Sequence, residues 1–173
     1  MKFTSILAFA LAMALTGCSA SSSSASSDGS PGSRREKKAA DFEKAATLIE
    51  SGNYQFTVSN ASPAGGRTIQ ITSEYTLAAR DGEYEAQLPY FGRAYSASYG
   101  GDGGIEFKGK PQDFQLTRNE KKNTLLVSFT IGSESDQYQV RLEVGASGYG
   151  TLQVSSQKRQ NISYYGQVSE LKP

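Results

Sequence analysis

Residues 75–88, Tyr75-Thr76-Leu77-Ala78-Ala79-Arg80-Asp81-Gly82-Glu83-Tyr84-Glu85-Ala86-Gln87-Leu88, decide the fold. Asp-Gly is a strong signal for a two-residue type I′ turn, whose two central residues both take positive φ. With that loop, Ala79 faces Tyr84, Leu77 faces Ala86 and Tyr75 faces Leu88. Apolar meets apolar each time, as a hairpin with one dry and one wet face requires.

The same period of two runs outward from this hairpin. Upstream, Tyr54, Phe56 and Val58 alternate with polar residues, and Ile69, Ile71, Tyr75 and Leu77 do so again. Downstream come Ile105 with Phe107, Phe114 with Leu116, Leu125-Val127-Phe129-Ile131, Tyr138-Val140-Leu142-Val144, Leu152-Val154 and Ile162 with Tyr164. A four-residue loop at Asn119–Lys122 would pair Leu116 with Leu125 and Phe114 with Val127. Alternation of this kind marks antiparallel sheet. The predicted fold is all-β with one N-terminal helix. An antiparallel meander of about eight strands forms a small barrel, or a strongly curved sheet or sandwich.

The helix precedes the strands. Phe42, Ala45, Ala46 and Ile49 fall at i, i+3, i+4 and i+7, a single apolar stripe. Ser33 and Glu36 have capping-box spacing, and Gly52 suits the position just past the end. The expected helix covers 34–51. Arg34, Arg35, Lys37 and Lys38 would contact anionic lipid or form a plain solvated face, nearly balanced by Glu36, Asp41, Glu43 and Glu50.

Ahead of the helix lies a targeting segment. Lys2 is a minimal basic region, and Phe3–Leu15 is an apolar run of about thirteen residues, too short to span a bilayer. Leu15-Thr16-Gly17-Cys18 matches a lipoprotein lipobox. Residues 1–17 read as the signal peptide and Cys18 as the lipidated residue, carrying diacylglycerol on its thiol and an acyl group such as palmitate on its amine. Residues 18–33 form a Ser-rich tether, with an r.m.s. span of roughly 20 Å. Residues 34–173 form the single folded domain. Ser19 is not an inner-membrane retention aspartate, so the expected location is the outer membrane, facing the periplasm. The partner it implies is the membrane, through the lipid anchor.

Composition narrows the chemistry. The chain has 173 residues, with 18 Lys+Arg against 17 Asp+Glu, no histidine and one cysteine. Near-neutral charge gives no nucleic-acid footprint. Without histidine there is no Ser-His-Asp or Cys-His catalysis and no His-ligated zinc. With its only cysteine lipidated the domain has no disulfide. We expect no cofactor and no metal. Glu74, Glu83, Glu85, Asp102, Glu106 and Asp113 offer carboxylates for glycoside hydrolysis, but no motif singles out a pair. The expectation is a protein that is not an enzyme.

The segment where alternation lapses is the candidate binding site. Leu88-Pro89-Tyr90-Phe91-Gly92-Arg93-Ala94-Tyr95 leads into Tyr99 and the glycine run Gly100–Gly104. Tyr90, Phe91, Arg93, Tyr95 and Tyr99 combine large semi-rigid rings with a cation, a recognition composition. Arg67, in the Gly-rich loop Asn60–Arg67, would assist with an anion. Neither glycine run is a P-loop, since no Gly-Lys-Ser/Thr follows. The plain structural alternative has the rings closing one end of the sheet and Arg93 satisfying loop carbonyls.

Gly65-Gly66-Arg67, the strand with Tyr75, Leu88–Tyr95, and Gly103-Gly104-Ile105 with Phe107 together resemble the family of the domain of unknown function 4251, small lipoproteins of Gram-negative anaerobes. The resemblance spans about residues 40–170 and implies an N-terminal signal and a β-rich domain, with no activity. The expected function is a non-enzymatic binding module for an apolar, glycan or peptide ligand. The rival is a structural or assembly partner of an envelope protein complex. Oligomeric state is open.

Overall fold

The computed structural model describes residues 31–93, 95, 103–134 and 136–172. Among these residues one helix, α1 (Pro31–Glu50), precedes ten strands. They are β1 (Tyr54–Pro63), β2 (Ile69–Gln70), β3 (Thr76–Arg80), β4 (Glu83–Leu88) and β5 (Ile105–Gly109). Then come β6 (Gln112–Asn119), β7 (Thr124–Gly132), β8 (Gln137–Gly145), β9 (Tyr149–Ser156) and β10 (Ile162–Glu170). All ladders are antiparallel, and the strands form one sheet in the order β5-β4-β3-β1-β10-β9-β8-β7-β6, with β2 also paired to β1.

The sheet curls into a half-barrel because its dry face must cover itself. Tyr84 on β4 packs on Phe129 of β7 with ring centroids 4.3 Å apart, and Phe107 on β5 lies 5.8 Å from Tyr138 on β8. Tyr54, Phe56 and Tyr164 fill the middle at 0 % exposure. Tyr54 and Tyr84 share a hydroxyl–hydroxyl hydrogen bond of 3.3 Å there, so their polar tips are satisfied in the core.

The ring does not close between β5 and β6. Counted through the antiparallel ladders, these two strands run in the same direction, so they are successive halves of one bent strand. The bend falls at Gly109, whose φ of 149° suits only glycine, and at Pro111, which has no N–H to give a ladder. The first half pairs with β4 and the second with β7.

The stripe of α1 is buried as the spacing predicts: Phe42, Ala45, Ala46 and Ile49 all face inward. Among the described residues the helix runs from Pro31, three residues before the expected start. Ser33 therefore lies inside the helix and not at its cap. The helix ends at Glu50 and not at 51, with Gly52 at φ 70° turning the chain. Arg118 of β6 seals this end, stacking 5.0 Å over the Phe42 ring and pairing with Glu43 and Glu50 of the helix.

The Asp81-Gly82 turn has φ of 49° and 82°, and Leu77↔Ala86 and Ala79↔Tyr84 pair as the sequence reading expects. That ladder stops at Thr76↔Gln87, so the Tyr75–Leu88 pair does not form within it. Instead the Tyr75 carbonyl accepts from Val58 N–H at 2.9 Å, beside a bulge in β1. The same bulge divides the expected 69–77 strand into β2 and β3.

The β6–β7 hairpin is a correction. Leu116 pairs with Val127 and Arg118 with Leu125, two residues away from the expected register. The turn is Glu120–Asn123. Asn123 takes φ 52° and Asn119 Oδ1 accepts from Lys122 N–H at 3.1 Å, so the local asparagine chemistry moves the turn. Phe114 ends up 48 % exposed rather than facing Val127.

Candidate functional site

The end of the half-barrel away from α1 carries the suspect loops. The chain leaves α1 into Tyr54 at one end of β1, and Pro63 at the other end pairs with Ile162 of β10. Leu88, where β4 stops, pairs with Ile105 at that same far rim. Pro89 then cannot donate, and its carbonyl accepts the buried Tyr164 hydroxyl at 2.7 Å. Burial pushes the Tyr164 phenol far above its ordinary value.

Tyr90 folds back over the loop it begins. Its hydroxyl lies 2.8 Å from the Arg93 carbonyl and 3.0 Å from the Gln160 carbonyl, and its single proton is shared between them. Gly92 is required beneath it, since a Cβ would sit 2.5 Å from the Tyr90 oxygen. Burial raises the Tyr90 phenol too. The next residues pair with the β9–β10 turn: Gln160 N–H donates to the Arg93 carbonyl at 3.0 Å and Tyr95 N–H to the Lys158 carbonyl at 2.8 Å.

Arg159 locks the arrangement. Its guanidinium lies 5.3 Å from the Tyr90 ring centroid and donates to the carbonyls of Gly103 and Gly104 at 3.0 and 2.6 Å. Its Nε stands 4.0 Å from Asp136. Arg159, not Arg93, satisfies the glycine carbonyls. Gln160 reaches the other suspect loop, donating from Nε2 to the Ala64 carbonyl at 2.9 Å. Ala64 N–H in turn donates to the Asn161 carbonyl at 3.1 Å. One turn, Ser156–Asn161, thus holds both loops on one rim.

The sequence-predicted residues divide. Tyr90 is half-buried and hydrogen-bonded into the frame. Phe91 is 45 % and Tyr95 71 % exposed, and Arg93 and Arg67 are exposed as well. Tyr99 and Cys18 lie outside the described residues, as does Asp102. Of the carboxylates considered for hydrolysis, Glu74 pairs with Lys172 and Glu85 with Lys108 on the surface. The lysine partner holds the Glu74 carboxyl below its usual range, and Glu85 raises Lys108.

Sequence reasoning missed Arg159, Gln160 and Asp136. Gln157-Lys158-Arg159-Gln160 reads as an ordinary hydrophilic turn between two strands, and nothing local separates Arg159 from Lys158. Among the described residues, no group of three His, Cys, Asp or Glu is placed to hold a metal ion. Nor is any helix among them long and apolar enough to cross a membrane.

The model of the domain of unknown function DUF4251 matches residues 36–168. The fold is similar to the crystal structure of a DUF4251 family protein from Bacteroides eggerthii DSM 20697, with a TM-score of 0.59 and 16 % identity, over 76 % of this chain and 89 % of that one. No curated protein matches.

Proposed function

This chain belongs to the DUF4251 family, and from that premise we propose that it is a lipid-anchored envelope lipoprotein acting as a non-enzymatic binding module. Cys18 carries the anchor, and the outer membrane, facing the periplasm, is its location. The recognition surface is the rim: Phe91, Tyr95, Arg93 and Arg67, with Tyr90 fixing the loop from below. Its ligand is apolar or stacks on aromatic rings.

The observation that carries this reading is the pairing of exposure with rigidity. Phe91 and Tyr95 stand 45 % and 71 % exposed on a backbone pinned by Tyr90, Arg159 and Gln160. A backbone already pinned leaves less to order when a ligand arrives. The rim also lies at the opposite end from α1, so a tether leading into Pro31 would present it away from the bilayer.

The rival reading, an assembly partner, draws on the free edge of β6 and the exposed ring of Phe114. That edge is guarded, however, by a bulge between Gln112 and Gln115, which breaks the regular row of N–H and C=O groups that strand addition needs.

The test is native mass spectrometry of the full-length protein extracted from membranes. A small ligand should co-purify and be lost in Phe91→Ala/Tyr95→Ala, while the unfolding free energy changes by less than about 0.5 kcal/mol, as expected for exposed positions. Cys18→Ser should release the protein from the membrane fraction. A stoichiometric protein partner in place of a ligand supports the rival, and chemical turnover of a bound compound overturns the non-enzymatic reading.

A further inference from the structure

A second surface lies on the wet face of β6–β10, begins where the rim ends, and is argued independently of it. The ladder registers line its side chains up in ranks. Gln115 faces Ser128, Ser128 faces Arg141, Arg141 faces Gln153 and Gln153 faces Ser163. One step along the strands, Thr130 faces Gln139 and Gln139 faces Ser155.

The sheet curls toward its dry side, yet a depression crosses this outer face. Gln115 on β6 and Ser163 on β10, four strands apart, line one trough of about 420 Å³. A second hollow of about 610 Å³ shares Asp113, Thr130, Gln139 and Ser155 with it and continues to Lys158 beside the rim. Both volumes fall in the range of small-molecule sites, roughly 300–1,000 Å³.

Two carboxylates are placed here at a cost. Asp113 occupies the β6 bulge at φ 52°, a strained backbone position for a side chain that then lines both hollows. The Asp136 side chain is 5 % exposed at the upper hollow, and its Oδ2 has no hydrogen-bond donor among the described residues. That oxygen is shut off from solvent and faces Arg159 Nε at 4.0 Å, so Asp136 holds Arg159 at the head of the hollow. Asp113 and Asp136 balance Arg141 and Lys158, so the lining carries no net sign.

At the other end the trough gives way to rings. Tyr165 follows Ser163 by two residues and so shares its face. It stands beside Tyr149, with ring planes 12° apart and centroids 5.8 Å apart, and the two are 47 % and 42 % exposed.

We propose that this trough binds a neutral, hydroxyl-rich glycan chain lying along the strands. Glutamine amides and serine and threonine hydroxyls each donate and accept, as sugar hydroxyls do. The parallel faces of Tyr149 and Tyr165 take the apolar face of a sugar ring. An extended peptide fits less well. Its main chain seeks unpaired N–H and C=O groups at a sheet edge, whereas the backbone here is already paired on both sides in β7, β8 and β9.

The experiment titrates the full-length protein in detergent with neutral glucan, mannan and xylan hexasaccharides. At least one should bind. Tyr165→Ala and Gln153→Ala should each weaken it about tenfold, the loss expected for one stacking or hydrogen-bonding partner. Tyr165→Phe should restore most of the affinity, and Phe91→Ala at the rim should leave it unchanged. Circular dichroism checks that each variant is folded. The proposal is overturned if no oligosaccharide binds, if peptides bind in their place, or if binding ignores Tyr165→Ala and Gln153→Ala in folded protein.

Discussion

The sheet has two seams, and they behave differently. At one, β1 and β10 pair from Tyr54↔Glu170 to Pro63↔Ile162, in the middle of the sheet. At the other, β5 and β6 meet end to end and leave edges without a partner strand. Both seams show period-two alternation in sequence, so alternation does not decide closure. Inward side-chain size does at the first seam. Gly166 of β10 faces Gly150 of β9, and a Cβ on Gly166 would fall 2.1 Å from the Thr57 carbonyl and 2.9 Å from the Phe56 ring. Gly166 makes the seat for that ring, while Gly150 leaves room for the Glu143 carbonyl and Val144 of β8. At the second seam, Gly109 and Pro111 bend the strand before a full ladder forms.

The largest expected effect strikes the central seam. Phe56→Ala should destabilise the domain by about 3–5 kcal/mol in urea unfolding, the usual cost of emptying a fully buried ring site. A cost no greater than that of removing an exposed ring would break the comparison.

Next in size is an alkaline effect on the same seam. Burial raises the phenols of Tyr54 on β1 and Tyr164 on β10, with Tyr84 adding to the shift at Tyr54. Unfolded tyrosine ionises near pH 10. Above about that pH the unfolded chain releases protons that the folded one keeps. Stability is therefore complete below about pH 10 and falls as pH rises, with a slope approaching 1.4 kcal/mol per pH unit for each tyrosine held neutral. Thermal melts across the alkaline range, read with phenolate absorbance, check this. Ordinary titration of every tyrosine in folded protein would remove the effect and, with it, the picture of a dry centre.

The smallest effect sharpens the other side. Phe114 on β6 is 48 % exposed, with its nearest aromatic contact at 6.2 Å. Phe114→Ala should cost under about 1 kcal/mol. A much larger loss would mean that the open seam carries more of the structure than its exposure indicates.

The parts legible in sequence were those that local chemistry settles. Asp81-Gly82 set its hairpin because both residues tolerate positive φ, and Phe42, Ala45, Ala46 and Ile49 marked the buried helix face. Most inward residues from Tyr54 to Tyr164 were readable from the period alone, Phe114 on β6 being the exception. The β6–β7 register was not, because Leu116 has apolar partners at both Leu125 and Val127, and the turn asparagines chose between them. The pairing of β1 with β10 left no local mark, since it joins opposite ends of the domain.

The rim was legible by half. Phe91, Arg93, Tyr95 and Arg67 stood out as odd composition, and they do share one rim. The frame beneath them did not, because Arg159 differs from Lys158 only in what it meets after folding. The trough was invisible for a further reason. Gln115, Gln139 and Gln153 are what any solvated strand face carries, and their meaning comes only from being brought into adjacent ranks across five strands.

The central position of β10 has a kinetic consequence. During synthesis, strands β1 to β9 can be complete while β1 still lacks its main neighbour, because that neighbour is the last strand made. The sheet then remains two separate hairpin arrays until Ile162–Glu170 emerges. Such long-range closure folds slowly. The complete sheet thus waits for β10, and a nascent chain that stays open is one that can still be threaded through a narrow passage.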